Sequence, residues 1–383
     1  MAKQIENNVA KMKPGEFINL MTSLIASAKT GLDIPSVSLI GSPGVAKSAS
    51  VKTIANNVSK ITGKKVLVHD VRLINMNPVD LRGIPSKATV KQKVLKQFYE
   101  NGKFEEKIVE EDVDVARWLQ PEILNMDPSD NIIHILFLDE ITSAPPSVQA
   151  VAYQITLDRR VGEFLLPTNV FVITASNLSS DKAVTYKMPT ALANRLLHIE
   201  IYCDLDDWKN WAINNGIDNR IIGFLNWKPE MLFKFDPTSD DLAWPTPRSW
   251  EMVAKILKLI PNINTASSLI AGAVGLGTAQ EFIAYTKVYH SLPNVADIFN
   301  GKPVEHPKAM DISYAISSAI VSYAQKATKK QIENMITWAQ DWQPDYALLC
   351  FKDCLRNDKI RGYFTSSKSW VIWYTKNKDF IDL

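Results

Sequence analysis

VSLIG at 37–41, GSPGVAKS at 41–48 and SASVKTIANNVSKITG at 48–63 form the stretch that decides the fold. The first segment is a short apolar run, as a buried strand requires. The last places Val51, Ile54, Ala55, Val58 and Ile61 on one stripe and stops at Gly63, the pattern of an amphipathic helix. Between them lies a Gly- and Pro-containing loop. A loop in this position turns backbone N–H groups inward, and the helix N-terminus adds positive potential, so the pair suits a phosphate. Lys47 would then reach the β- and γ-phosphates, and the Ser48 hydroxyl would ligate Mg2+. The pattern G-x-x-x-x-G-K-[ST] departs at one residue, because Ala46 stands where glycine is expected. Taken alone, the segment also reads as an ordinary Gly/Pro turn.

Outward from this loop the pattern repeats. Residues 15–31 carry apolar positions at helical spacing and stop at Gly31. KVLVHDV at 65–71, IIHILFLD at 132–139 and VFVITASN at 170–177 are continuous apolar runs, which suit parallel strands covered on both faces. ILFLDE at 135–140 sets Asp139 and Glu140 at the carboxyl end of such a strand, where ligands of open α/β sheets bind. Asp139 would hold hydrated Mg2+, and Glu140 would polarise an attacking water; a lone acidic pair at a solvent-facing strand end is the alternative.

Three more polar residues fit hydrolysis of a nucleotide. Asn177, at the end of VITASN, suits either a hydrogen bond to the lytic water and γ-phosphate or a turn cap. Arg195 in PTALANRLLHIEI suits stabilisation of phosphoryl charge on a neighbouring subunit or a surface ion pair. Arg248 in WPTPRSWEMVAKIL, where prolines fix a helix start, suits a contact with the γ-phosphate or a solvated position.

The chain has 383 residues, 46% of them apolar, which implies a real core and more than one domain. Its 43 Lys+Arg against 41 Asp+Glu give no bulk attraction to nucleic acid or anionic membrane. Cys203, Cys350 and Cys354 cannot frame a secreted scaffold, the N-terminus has no apolar signal core, and no apolar run reaches a membrane span; a cytoplasmic location is expected. Residues 86–114 alternate Lys and Glu with sparse apolar residues, which predicts an exposed insertion. LDRRVGEFLLPTN at 157–169 predicts a hairpin around Gly162. Nine of the ten tryptophans lie between Trp208 and Trp373, and helical spacing takes over beyond about residue 205, so a second, mainly helical domain is expected there.

LDEITSAPPSVQAVAYQITLDRRVGEFLLP, VITASN, YKMPTALANR and the loop GSPGVAKS, in this order, resemble the MoxR-type branch of the AAA+ ATPases. Loops of that branch often carry alanine before the lysine, and NPVDLRGIP at 77–85 is similar to the stretch leading into its helix-two insertion. The resemblance spans roughly residues 35–255. It implies an α/β fold: an AAA+ P-loop core with a parallel sheet flanked by helices over 1–205, an insertion at about 78–115, a helical lid over 206–285 and a helical C-terminal region over 286–383. Walker A then corresponds to Gly41, Ser42, Pro43, Gly44, Val45, Ala46, Lys47, Ser48 and Ala49, and Walker B to Asp139 and Glu140. Asn177 corresponds to sensor 1, Arg195 to the arginine finger and Arg248 to sensor 2, with Ser48 and Asp139 holding Mg2+. Relatives commonly have Asn-Arg where this chain has Thr142-Ser143, and Asp-Arg-Phe where it has Asn194-Arg195-Leu196.

The resemblance further implies ATP hydrolysis between subunits of a homo-oligomeric, usually hexameric ring, coupled to remodelling of a protein client. A von Willebrand factor A domain protein is the expected partner. The insertion and the Arg159-Arg160 hairpin are where such ATPases contact clients, although a solvated face fits them equally. A nucleic-acid motor resembling MCM helicases or the GTP-using McrB subunit, and a nucleotide-gated scaffold without turnover, are the alternatives. His69, His134, His198, His290 and His306 show no metal-ligand spacing and are read as structural. Cys350 and Cys354 are read as buried thiols, AGAVGLGTAQEF at 271–282 as close helix packing, and WVIWYTK at 370–376 as packing aromatics.

Overall fold

The computed structural model describes residues 9–100, 103–178, 181, 186, 188, 193–289 and 292–378. Two compact units result: one takes in residues up to Pro43 and Lys47–Ile201, the other Gly44–Ala46 and residues from Tyr202 onward.

The first unit runs β1 (Ala10–Met12), α1 (Pro14–Ser27), β2 (Val37–Ile40), α2 (Lys47–Thr62), β3 (Lys65–Arg72), α3 (Pro78–Arg82), β4 (Ile84–Glu100), β5 (Lys103–Leu119), β6 (Ile132–Asp139), α4 (Pro146–Asp158), β7 (Arg160–Val161), β8 (Phe164–Leu165), β9 (Val170–Ser176) and β10 (Leu197–Ile201). Six of these strands form one sheet in the order β1-β10-β2-β9-β6-β3, and every pairing in it is parallel. The continuous apolar runs explain the burial: β9 is buried throughout, and β6 from Ile133 to Leu138, because helices cover both faces of a parallel sheet. β2 and β3 are consecutive in the chain yet separated in the sheet by β9 and β6. The strand order therefore reverses beside β2, and the carboxyl ends of β2, β9 and β6 lie next to one another. This is where open α/β sheets build their sites.

Three local differences from the sequence reading have physical reasons. Helix α1 ends at Ser27, so Gly31 is not its stop. Instead a Cβ at Gly31 would lie 1.8 Å from the Val170 carbonyl oxygen, a distance no side chain can occupy. The Lys/Glu-rich stretch is exposed, as expected, but it is a regular antiparallel ribbon of β4 and β5, paired from Ile84↔Leu119 to Glu100↔Lys103. The hairpin expected at 157–169 is present as β7 and β8, but Arg159 in front of it is a structural residue. Its guanidinium donates to the carbonyl oxygens of Gly31, Pro167 and Val170, and burial lowers its pKa.

The second unit is helical: α5 (Leu205–Asn214), α6 (Asn219–Trp227), α7 (Pro247–Leu259), α8 (Ile263–Val274), α9 (Leu276–Tyr289), α10 (Val295–Phe299), α11 (Met310–Ala324), α12 (Lys329–Ala339), α13 (Pro344–Leu355), α14 (Asp358–Thr365) and α15 (Lys368–Asn377). One core runs from Trp208 to Trp373, with Phe224 at its centre against Trp250, Phe282 and Tyr285. Cys350 and Cys354 are fully buried in it; hydrogen bonding to Cys350 and burial raise the Cys354 pKa. The glycine cluster serves a turn, not helix packing. Gly275 takes φ +84° between α8 and α9, whereas a Cβ on Gly272 or Gly277 would meet nothing within 4 Å. No helix among the described residues is long and apolar enough to cross a membrane.

Candidate functional site

The loop between β2 and α2 is anchored where Gly41 N–H donates to the Ser176 carbonyl at 3.2 Å, so the first loop glycine is tied to the end of β9. Gly44 has φ +87° and Ala46 φ +73°. Glycine reaches such values without steric conflict, whereas an alanine is strained there. The departure from the glycine pattern thus falls at a position whose backbone favours glycine. Val45 is buried at the loop's centre, and Pro43, Ser48 and Ala49 follow the same loop-to-helix turn.

Lys47 opens α2, and its ammonium donates to the carbonyl oxygens of Gly41 and Ser42 and, at 3.0 Å, to Asn177 Oδ1. Three oxygens match the three donors of an ammonium. One residue later, Ser48 Oγ donates to Asp139 Oδ2 at 3.2 Å. Residues from α2, the end of β6 and the end of β9, separated by about 90 to 130 positions in the chain, are thereby brought within hydrogen-bond reach. Glu140 follows with φ +58°; its own N–H donates to Asp139 Oδ1 at 2.9 Å, which fixes one carboxylate oxygen and leaves Oδ2 for the serine.

A hydroxyl and a carboxylate oxygen in contact are hard donors of the kind Mg2+ takes when substrate phosphates and water supply its other positions. Among the described residues no group of three or more His, Cys, Asp or Glu is placed to hold a metal ion. Arg195 is exposed in the turn before β10, and Arg248 is exposed in the first turn of α7, whose N-cap Thr246 accepts from the Ser249 N–H. Among the described residues, Arg195 makes no hydrogen bond with Lys47, Ser48, Asp139 or Asn177, and Arg248 lies in the other unit.

Two features were not read from the sequence. Ser42 Oγ donates to Asp181 Oδ1 at 3.4 Å, and nothing in the sequence around Asp181 signals it. His69 and His134, 65 residues apart, are neighbours across β3 and β6: His69 Nε2 lies 2.9 Å from His134 Nδ1, and His134 Nε2 lies 2.9 Å from the Asp127 carbonyl. A carbonyl can only accept, so His134 carries its proton on Nε2 and accepts from His69. Burial, and next the adjacent His134, lower the His69 pKa below the usual 6.5. His69 also lines a cavity of about 770 Å3 with Asp80, Gly83, Leu119 and Glu122. His198 Nε2 donates to the Ala193 carbonyl and His306 Nε2 to the Trp338 carbonyl, as structural residues do, and His290 lies outside the described residues.

No protein-family model matches the sequence, and no curated protein matches it. Solved structures do. The chain is similar to the Aeropyrum pernix Orc1 protein in complex with DNA, at 11% identity over 82% of this chain and 77% of that one, with a TM-score of 0.37. It is similar to a Thermotoga maritima RuvB mutant at 13% identity over 80% and 82%, with a TM-score of 0.30. The likeness to Caenorhabditis elegans PCH-2 has 13% identity over 73% and 69%, with a TM-score of 0.31.

Proposed function

We propose that the chain is a MoxR-like AAA+ ATPase, an Mg2+-dependent ATP hydrolase that works between the subunits of a hexameric ring and remodels a protein partner, with a von Willebrand factor A domain protein the first candidate. The observation that carries this reading is the convergence of Lys47, Ser48, Asp139 and Asn177 at the carboxyl ends of neighbouring parallel strands. The loop N–H groups and the α2 N-terminus bind the phosphates. Lys47 trades its loop carbonyls for β- and γ-phosphate oxygens, and Asn177, released from the ammonium, orients the attacking water. Ser48 and Asp139 hold Mg2+, which when bound neutralises charge on the phosphate oxygens. Glu140 accepts the proton of the attacking water. Arg195, exposed at the surface, serves a neighbouring subunit's nucleotide, and Arg248, in the stretch 206–285 read as the lid, senses the γ-phosphate.

Phosphate release from the purified chain with ATP and Mg2+, over a range of protein concentrations, tests this. Turnover is expected to rise more steeply than concentration and to fall about 10²- to 10⁴-fold in Glu140→Gln, the usual loss for a missing general base. A rate unchanged by that substitution would overturn the assignment.

A further inference from the structure

The ribbon of β4 and β5 is a sheet of two strands, each 17 residues long, and neither outer edge has a strand partner among the described residues. Strands usually run about 5–6 residues, and an isolated two-stranded ribbon is marginal in water. Its register divides it into two faces. Ala88, Val90 and Val94 stand opposite Val115, Val113 and Val109 on one, all half-buried; Thr89, Lys91 and Lys93 stand opposite Asp114, Asp112 and Glu110 on the other, all exposed.

The charges are segregated by strand. β4 carries four Lys and one Glu, a net of +3, while β5 carries six acidic residues against two Lys and one Arg, a net of −3. Edge lysines ordinarily discourage pairing. Here the signs oppose β4 to β4 and β5 to β5, and favour β4 to β5.

We propose that the β5 edge of one copy of this chain pairs with the β4 edge of the next, joining the ribbons of neighbouring copies into one continuous antiparallel sheet. The direction is already right, since β4 and β5 are antiparallel within each ribbon. Copies related by rotation about an axis along the ribbons keep the same height. Each β5 residue then meets, on its neighbour, the same residue type it meets within its own ribbon: Asp112 finds a second Lys91, Glu110 a second Lys93, and Val113 a second Val90. The contact is head-to-tail, so it closes when the rotation closes. Only that closure rests on the ring reading; the edge pairing does not.

Two full-length single-cysteine additions test the contact. Thr89→Cys and Asp114→Cys proteins, mixed and mildly oxidised, should give a disulfide-linked dimer well above either protein alone or the unaltered chain, because opposed antiparallel residues lie within disulfide reach. A mixture no better than its components, or cross-linking of Thr89→Cys with itself, would overturn the proposal. A second set guards against a disturbed ribbon. Lys91→Glu with Lys93→Glu should weaken association about tenfold in sedimentation, and adding Glu110→Lys with Asp112→Lys should restore it; failure to restore would overturn it. Phosphate release that still rises more steeply than concentration without the cross-link would remove the ribbon contact and leave the ATPase reading in place.

Discussion

Replacing Asp353 with leucine removes the centre of the most deeply buried charge cluster in the helical unit. Asp353, on α13, is 1% exposed, and its Oδ1 accepts from Lys209 Nζ at 3.0 Å and from Arg356 Nε at 2.9 Å. Lys209 on α5 is 3% exposed, and its other ionic partner, Asp206 at 3.2 Å, is 71% exposed. Arg356 keeps Asp206 as well, so in Asp353→Leu two cations compete for one solvated carboxylate. Breaking a buried pair in this way costs about 3–5 kcal/mol. An independent ceiling comes from letting the stranded ammonium lose its proton: from an ordinary lysine value of about 10.4, that costs about 4.6 kcal/mol at pH 7 and about 1.9 kcal/mol at pH 9. The two figures agree, and they predict that the loss shrinks as pH rises. At about 2–4 °C per kcal/mol for a unit of this size, Asp353→Leu should melt about 6–20 °C lower at pH 7. Thermal unfolding followed by tryptophan fluorescence reads this directly, because most tryptophans belong to this unit. Lys209→Met combined with Asp353→Leu should recover most of the loss, since an apolar pair of similar volume often replaces a buried ion pair without penalty. A drop equal at pH 7 and pH 9, or a double variant no more stable than the single, would refute the reasoning.

Two further outcomes follow from single residues. Ala46→Gly relieves about 1–2 kcal/mol of left-handed strain and gives back about 0.4–1 kcal/mol through the freer unfolded chain; denaturant unfolding should show a change no worse than neutral, and a loss above about 1 kcal/mol would contradict the φ of +73°. His69 has a lowered pKa in the folded state, so its contribution to stability is present above about 6.5 and is lost as pH falls through the lower folded value; urea midpoints should decline less between pH 7 and pH 5 in His69→Gln than in the unaltered chain, and equal declines would contradict it.

What the sequence made legible was whatever is encoded locally. β2, β6 and β9 announce themselves as continuous apolar runs because both faces of the sheet are covered there, whereas β3, at the sheet edge, buries only Val71; the loop at 41–48 combines two glycines with the adjacent Lys47 and Ser48. Asp139 and Glu140 were readable because a strand's polarity fixes which of its ends faces the site. The His69–His134 pair was not, because it depends on β3 and β6 being neighbours in a particular register. Arg159 was misread for a related reason: an arginine in a polar segment looks solvated until the Gly31 carbonyl, 128 residues away, and those of Pro167 and Val170 beyond the hairpin accept from it. The ribbon is the most instructive case. Its alternation of charge hid a period of two in which valines face valines, since Lys91, Lys93, Glu110 and Asp112 lie on one face and the valines on the other, a face that also carries the Lys96–Glu111 ion pair. Charge on a strand marks exposure of a face and leaves the edges undecided. The opposite signs on the two edges are therefore information about pairing that composition averages to zero, and they become visible only once the register assigns each residue to its strand.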